Sequence, residues 1–246
     1  MIKAVTFDVT NTLIHSPRLG EIYAEVLGRH GVRVDPREAR RLVGVVWQEL
    51  ACLADPSRDR FSSHPEGERG WWMRFLERLG EHLEAPPLSR FAAAELFHRF
   101  GAAEAWEVFP EVPAVLSALS AISARQVSLG VVSNWDHRLP GLLERLGLAR
   151  FFSAVAYSSA VGVEKPDRRI FEHALQGLGV EAASALHVGD ARLEDVEGAQ
   201  AAGMRALHLT RGSGAGDLRD LGRLPELLAA GQGGPVLDFA RSPQQS

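Results

Sequence analysis

Two textures of apolar residues alternate along this chain. Apolar runs of strand length recur at residues 2–7, 127–132, 154–157, 185–188 and 206–209. Amphipathic helical spacing fills 139–146, 168–178 and 195–202 between the later runs. Strand alternating with helix predicts a parallel sheet with helices on both faces. Strands whose apolar residues run on consecutively, not at every second position, agree with burial from both sides. The expected fold is therefore α/β, a doubly wound parallel sheet.

The first two runs stand too far apart for a single crossover, and from about 17 to 107 only helical spacing recurs. Asp35-Pro36-Arg37-Glu38 reads as an N-cap, a proline at the first helical position and a capping-box acid. After it, Leu42, Val45, Val46, Leu50 and Leu53 mark one helix face. Trp71, Trp72, Phe75, Leu76, Leu79 and Leu83 mark another, and 91–100 a further helix. The expected organisation is an α/β core over 1–15 and 108–230, with a helical cap, 16–107, inserted after the first strand and placed to act as a lid. Residues 231–246, rich in Gly, Gln, Ser and Pro, read as a flexible tail.

In open α/β sheets ligands bind at the carboxyl ends of the strands, so the residues that close each run carry the question of function. Asp8 closes the first and opens the polar turn Asp8-Val9-Thr10-Asn11-Thr12. Ser133-Asn134 follows the second, Lys165-Pro166 the third, and Gly189-Asp190 with Asp195 the fourth. Singly, each has a plain structural explanation: a strand ending, a solvated turn, acids at a helix N-terminus. Their joint ordering has none.

Composition narrows the alternatives. A net charge of −4, with 46% hydrophobic and 24% charged residues, is that of a soluble globular protein. It leaves no electrostatic footprint for nucleic acid or an anionic membrane. No stretch approaches the roughly 18 apolar residues that span a bilayer, and no signal peptide is visible. Cys52 is the single cysteine and forms no intrachain disulfide, so a cytoplasmic location is expected. Of 27 basic residues only Lys3 and Lys165 are lysine. A mid-chain lysine in so arginine-rich a protein invites a chemical reason, since a compact ammonium is not imitated by a planar guanidinium.

Asp8-x-Thr10-x-Thr12, Ser133-Asn134, Lys165-Pro166 and Gly189-Asp190-x4-Asp195 resemble, in order, the four motifs of the haloacid dehalogenase-like hydrolase superfamily. The helical insert resembles that family's first cap type, and the match runs from Asp8 to about Leu209. The resemblance implies a Rossmann-like core and a Mg²⁺-dependent phosphatase that acts on a small phosphorylated molecule, as a monomer or homodimer. Asp8 would attack the phosphoryl group and form an aspartyl-phosphate. Mg²⁺ takes oxygen ligands and needs only one or two carboxylates; Asp8, Asp190 and the Thr10 backbone carbonyl would supply them. Asp195 would hold a metal-bound water or orient Lys165. Lys165 would bridge Asp8 and the phosphoryl oxygens, to which Thr12, the Ser133 hydroxyl and the Asn134 backbone N–H would donate.

Thr10 departs from the pattern. Phosphatases of this family usually carry a second aspartate two residues after the nucleophile, which protonates the departing alkoxide and then activates water. A threonine hydroxyl does neither well, and losing a positioned acid–base group forfeits roughly 10²- to 10⁴-fold in rate. Asp136 and His15 are the candidate replacements. The same departure keeps two other readings open: a dehalogenase-type hydrolase, and a low-activity binder of phosphorylated ligands. Weaker signals are read structurally. The glycine-rich 212–216 lacks dinucleotide-loop spacing, Cys52 is expected as a small buried hydrophobe, and Trp71-Trp72 as cap packing.

Overall fold

The computed structural model describes residues 1–55, 57–121, 127–212 and 215–230. The chain begins with β1 (Ala4–Phe7) and the two-residue β2 (Ile14–His15). Four helices follow: α1 (Leu19–Arg29), α2 (Pro36–Cys52), α3 (Gly67–His82) and α4 (Arg90–Gly101). It returns through β3 (Glu107–Val108), antiparallel to β2. Next come α5 (Val112–Ala121), β4 (Ser128–Ser133), α6 (Leu139–Arg145), β5 (Ala154–Tyr157), α7 (Ser158–Val161) and α8 (Arg168–Leu178). The last elements are β6 (Ala185–Gly189), a π-helical turn at Arg192–Glu197, α9 (Gly198–Ala201), β7 (Arg205–His208) and α10 (Leu224–Ala230).

Five strands form a parallel sheet in the order β5-β4-β1-β6-β7. β1 is central, and the chain fills one side before crossing to the other, so strand order reverses at β1, where a doubly wound sheet opens a crevice. Alternate strand residues feed the two faces. Phe7, Leu129, Val131 and Val188 pack with helices α5 and α6, while Ala4, Val132 and Ala156 pack with α8 and α9. The α/β expectation holds.

Helices α1 to α4 share an apolar cluster of their own, centred on Val26, Val46, Phe75 and Leu79. Asp35 caps α2 as expected, its carboxylate accepting from the Arg37 and Glu38 N–H groups. Glu38 does not close the capping box, because Arg41 draws its carboxylate into a two-point pair. The α2 stripe stops at Leu50: Leu53 lies past the helix end and is 75% exposed. Cys52 is exposed as well, which corrects its expected burial; Leu50 is the residue of the last turn of α2 that faces the apolar cluster. The helix expected over 195–202 starts earlier, as the π-helical turn. The β2–β3 pair, short and without an apolar run, had no sequence signal. The tail at 231–246, and Ser213 and Gly214 of the glycine-rich stretch, lie outside the described residues. Among those described, no helix is long and apolar enough to cross a membrane.

Candidate active site

The site gathers where β1, β4 and β6 end, on either side of the strand-order reversal. Asp8 is the first residue past β1, and its backbone N–H is held by the Val188 carbonyl of β6 at 3.0 Å. Asn11 takes the left-handed turn that follows (φ 61), a conformation asparagine tolerates better than most residues. Arg211, arriving from the far edge of the sheet, donates to the Asn11 and Thr12 carbonyls at 3.0 and 2.7 Å and pins this loop from outside.

Lys165 lies buried between two carboxylates. Its Nζ donates to Asp8 Oδ1 at 2.7 Å and to Asp195 Oδ1 at 2.5 Å. Burial works against the ammonium, but Asp195 and Asp8 outweigh it and hold the group charged, above the usual lysine range. This gives the mid-chain lysine its chemical reason. Ser133 Oγ also donates to Asp8 Oδ1, at 2.9 Å. Both bonds fall on the same oxygen and leave Oδ2 as the atom with freedom to react. Burial nonetheless raises the Asp8 carboxyl, with Lys165 opposing.

Asp195 is held on both oxygens. Besides Lys165, its Oδ1 lies 3.2 Å from His187 Nε2, and its Oδ2 accepts from the Ala191 N–H at 2.9 Å. Burial opposes ionisation here too, yet Lys165 and then His187 depress the carboxyl well below the usual range. The approach is close: a Cβ on Gly189 would stand 2.2 Å from the Asp195 carboxylate, so only glycine fits before Asp190. His187 is anchored in turn by Thr6 Oγ1, 2.9 Å from its Nδ1. Thr6 and His187 are register partners on β1 and β6. As the polar interruptions of two otherwise apolar strands, they were the available sequence signal for this support, and it went unread.

Asp190 completes a triplet. One oxygen from each of Asp8, Asp190 and Asp195 lies within 4.8 Å of the others. Burial, then the charges of Asp8 and Asp195, push the Asp190 carboxyl up to about 7, with a hydrogen bond from Asn11 opposing. Carboxylates crowded in this way repel one another unless a cation or a proton sits among them. An all-oxygen donor set of this kind suits a hard divalent cation such as Mg²⁺. Since both Asp195 oxygens are already engaged, its geometry fits orienting Lys165 better than direct ligation.

The remaining motif residues divide. Thr12 Oγ1 is buried without a hydrogen-bond partner, the state of a donor that awaits an acceptor. The Asn134 side chain grips the main chain of Lys165, its Oδ1 accepting from the Lys165 N–H at 2.7 Å and its Nδ2 donating to the Lys165 carbonyl at 3.1 Å. That amide therefore shapes the lysine loop, a role absent from the motif reading. Nδ2 also donates to Glu194, whose carboxyl burial raises. Thr10 Oγ1 accepts from Trp135 Nε1 at 3.1 Å, so an indole faces the position of the usual acid. Neither candidate replacement is at hand. Asp136 is enclosed by Arg138 and by Trp72 Nε1. His15 stacks on Phe109 beside Glu107. Trp71 packs inside the insert as expected, whereas Trp72 reaches across to the core through Asp136.

The family model for haloacid dehalogenase-like hydrolases matches residues 2–203. The chain is 32% identical over 218 residues to haloacid dehalogenase-like hydrolase domain-containing protein 3 of Danio rerio, covering 87% of each chain. It is 32% identical over 217 residues to the glyceraldehyde 3-phosphate phosphatase of Methanopyrus kandleri, covering 86% of this chain and 85% of that one. Among solved structures it resembles the 2-haloacid dehalogenase from Pseudomonas syringae pv. Tomato, with 29% identity and a TM-score of 0.62 over 94% of this chain and 99% of that one.

Proposed function

The chain belongs to the haloacid dehalogenase-like hydrolases, and on that premise we propose that it is a Mg²⁺-dependent phosphatase of small phosphorylated metabolites. The observation that carries the reading is the Asp8–Asp190–Asp195 triplet beside a lysine held charged. A carboxylate repels a phosphate dianion, so an attacking Asp8 needs neighbouring positive charge. Asp8, Asp190 and the Thr10 carbonyl are the groups to hold Mg²⁺, which when bound supplies charge neutralisation and a fixed position for a phosphoryl oxygen.

The protein's own groups account for the rest. Asp8 Oδ2 attacks phosphorus and the leaving oxygen departs with its electron pair, producing an aspartyl-phosphate that water then hydrolyses. Lys165 holds Oδ1 of the same carboxylate and reaches toward the transferred group. Thr12 Oγ1 donates to a phosphoryl oxygen, while Ser133 keeps the carboxylate oriented. The Thr10 hydroxyl is too weak an acid to protonate the leaving group, so substrates whose leaving oxygen needs no proton are favoured: acyl and aryl phosphates over alkyl phosphates. The phosphatase relative at 32% identity supports the same reading.

Carbon–halogen hydrolysis, also begun by a carboxylate nucleophile, is the second reading, and Thr10 together with the dehalogenase of similar structure favours it. Against it stands Asp190, an extra acid that a metal-free displacement has no use for. A screen of phosphorylated metabolites with Mg²⁺, using Asp8→Asn as the blank, is the test. Wild-type turnover with loss of at least about 10³-fold in the variant is expected. Chloride release from 2-chloropropionate in EDTA, without phosphate release, would install the second reading instead.

A further inference from the structure

The segment joining α2 to α3 leaves the helical insert and lands on the loop that carries Lys165. The Asp59 N–H donates to the Gly162 carbonyl at 2.9 Å, and Arg169 Nη2 donates to the Ser57 carbonyl at 2.9 Å. Between them Arg60 takes Glu164 in a two-point grip, Nε to Oε2 at 2.6 Å and Nη2 to Oε1 at 2.9 Å. The two side chains are 6% and 2% exposed. On the insert side the segment is well anchored: the Arg60 guanidinium lies over Trp47 at 5.3 Å, and Phe61 packs edge-on against Trp71 at 4.8 Å. On the core side Glu164 immediately precedes Lys165, whose main chain the Asn134 side chain also grips.

A buried ion pair contributes little net stability, because desolvating both ions offsets most of their attraction and an apolar pair of similar volume does as well. What a forked guanidinium on a carboxylate supplies is one defined geometry. We propose that Arg60 is a positioning residue: by gripping Glu164 it holds the main chain at Lys165, so that the helical insert takes part in aiming the ammonium at Asp8. The consequence for turnover rests on the phosphatase reading; the linkage itself does not.

The lysine content of the chain makes the linkage measurable without a substrate. Lys3, which is exposed, and Lys165 are its two lysines. Acetylation by an amine-directed reagent, followed by peptide mass spectrometry, therefore reads Lys165 against an internal control. In the wild type Lys165 labels far less than Lys3. In Arg60→Met and in Glu164→Gln the Lys165-to-Lys3 ratio is expected to rise about tenfold, with Arg60→Lys in between. The double variant should rise no further than the larger single, as two halves of one contact require. Trp72→Phe, which removes a different bond between insert and core, should leave the ratio at the wild-type value. Unchanged ratios in Arg60→Met and Glu164→Gln overturn the proposal. So do additive effects in the double variant, or an equal rise in Trp72→Phe. If Arg60→Met fails to fold, Arg60→Lys carries the comparison. Turnover of p-nitrophenyl phosphate should fall in step with rising Lys165 labelling. A wild type inert toward all phosphate esters would sink the phosphatase reading and leave the labelling result standing.

Discussion

At the scale of single residues, Thr10 and Asp190 set the chemistry apart. Thr10 occupies the acid position, and its hydroxyl already meets a donor in Trp135 Nε1. An aspartate placed there would find the same indole to orient it. Thr10→Asp is expected to raise kcat/KM on glycerol phosphate by about 10²-fold or more, and on p-nitrophenyl phosphate by less than about tenfold, since only the alkoxide needs a proton. Equal gains on both esters would mean that leaving-group protonation is not what the wild type lacks.

Asp190 makes a pH prediction. Its carboxyl rises from 3.8 to about 7 on folding, so the folded protein holds this proton more tightly than the unfolded chain. Its contribution to stability is complete below the lower value and is lost as pH climbs through the upper one. A cation bound by Asp190 must displace the same proton. The rise in Tm on adding MgCl₂ should therefore be larger at about pH 8 than at about pH 5.5, and Asp190→Asn should abolish the difference. A Mg²⁺ shift that is independent of pH would remove Asp190 from the cation's ligands.

At the scale of elements, glycines show where backbone proximity is part of the design. Gly20 in α1 faces the start of α2, and a Cβ there would stand 2.0 Å from the Pro36 carbonyl oxygen. Gly20→Ala must force the two helices apart, at a cost of about 1–3 kcal/mol, read as a lowered Tm and faster proteolysis within the insert. Gly44, exposed on α2 with nothing within 4 Å of its would-be Cβ, is the control. Gly44→Ala should stabilise by about 0.5–1 kcal/mol through helix propensity alone. A loss of stability at both positions would show that the α1–α2 approach is not the cause.

At the scale of the whole molecule, the sheet brings together residues from four separate stretches of chain, and the helical insert is bonded to the core beside them. The contacts between the two mix aromatic packing, as of Trp106 on Trp135, with specific polar pairs. Arg60 meets Glu164, Trp72 meets Asp136, and Glu68 meets both the backbone N–H and the ring of His137. Sequence reading expected the insert but none of these pairs across its boundary. An arginine 104 positions from its glutamate carries no periodic or spacing signal. The same holds for Trp135 beside Thr10 and for Arg211 on the Asn11 and Thr12 carbonyls, contacts that no local pattern announces.

The sequence by itself determined the alternation of strand and helix, the helical spacing of the insert, and the acids and lysine that follow the strands. These rest on local physics: periodicity declares which face is buried, and a polar residue closing an apolar run declares a sheet edge. Only the tertiary structure decided which oxygen of Asp8 stays free, that Asp195 is spoken for by Lys165, His187 and a backbone N–H, and that Asp136 and His15 are engaged elsewhere. Those outcomes depend on distances of a few ångströms between residues far apart in the chain. Such distances exist only once the strands have paired and the insert has docked.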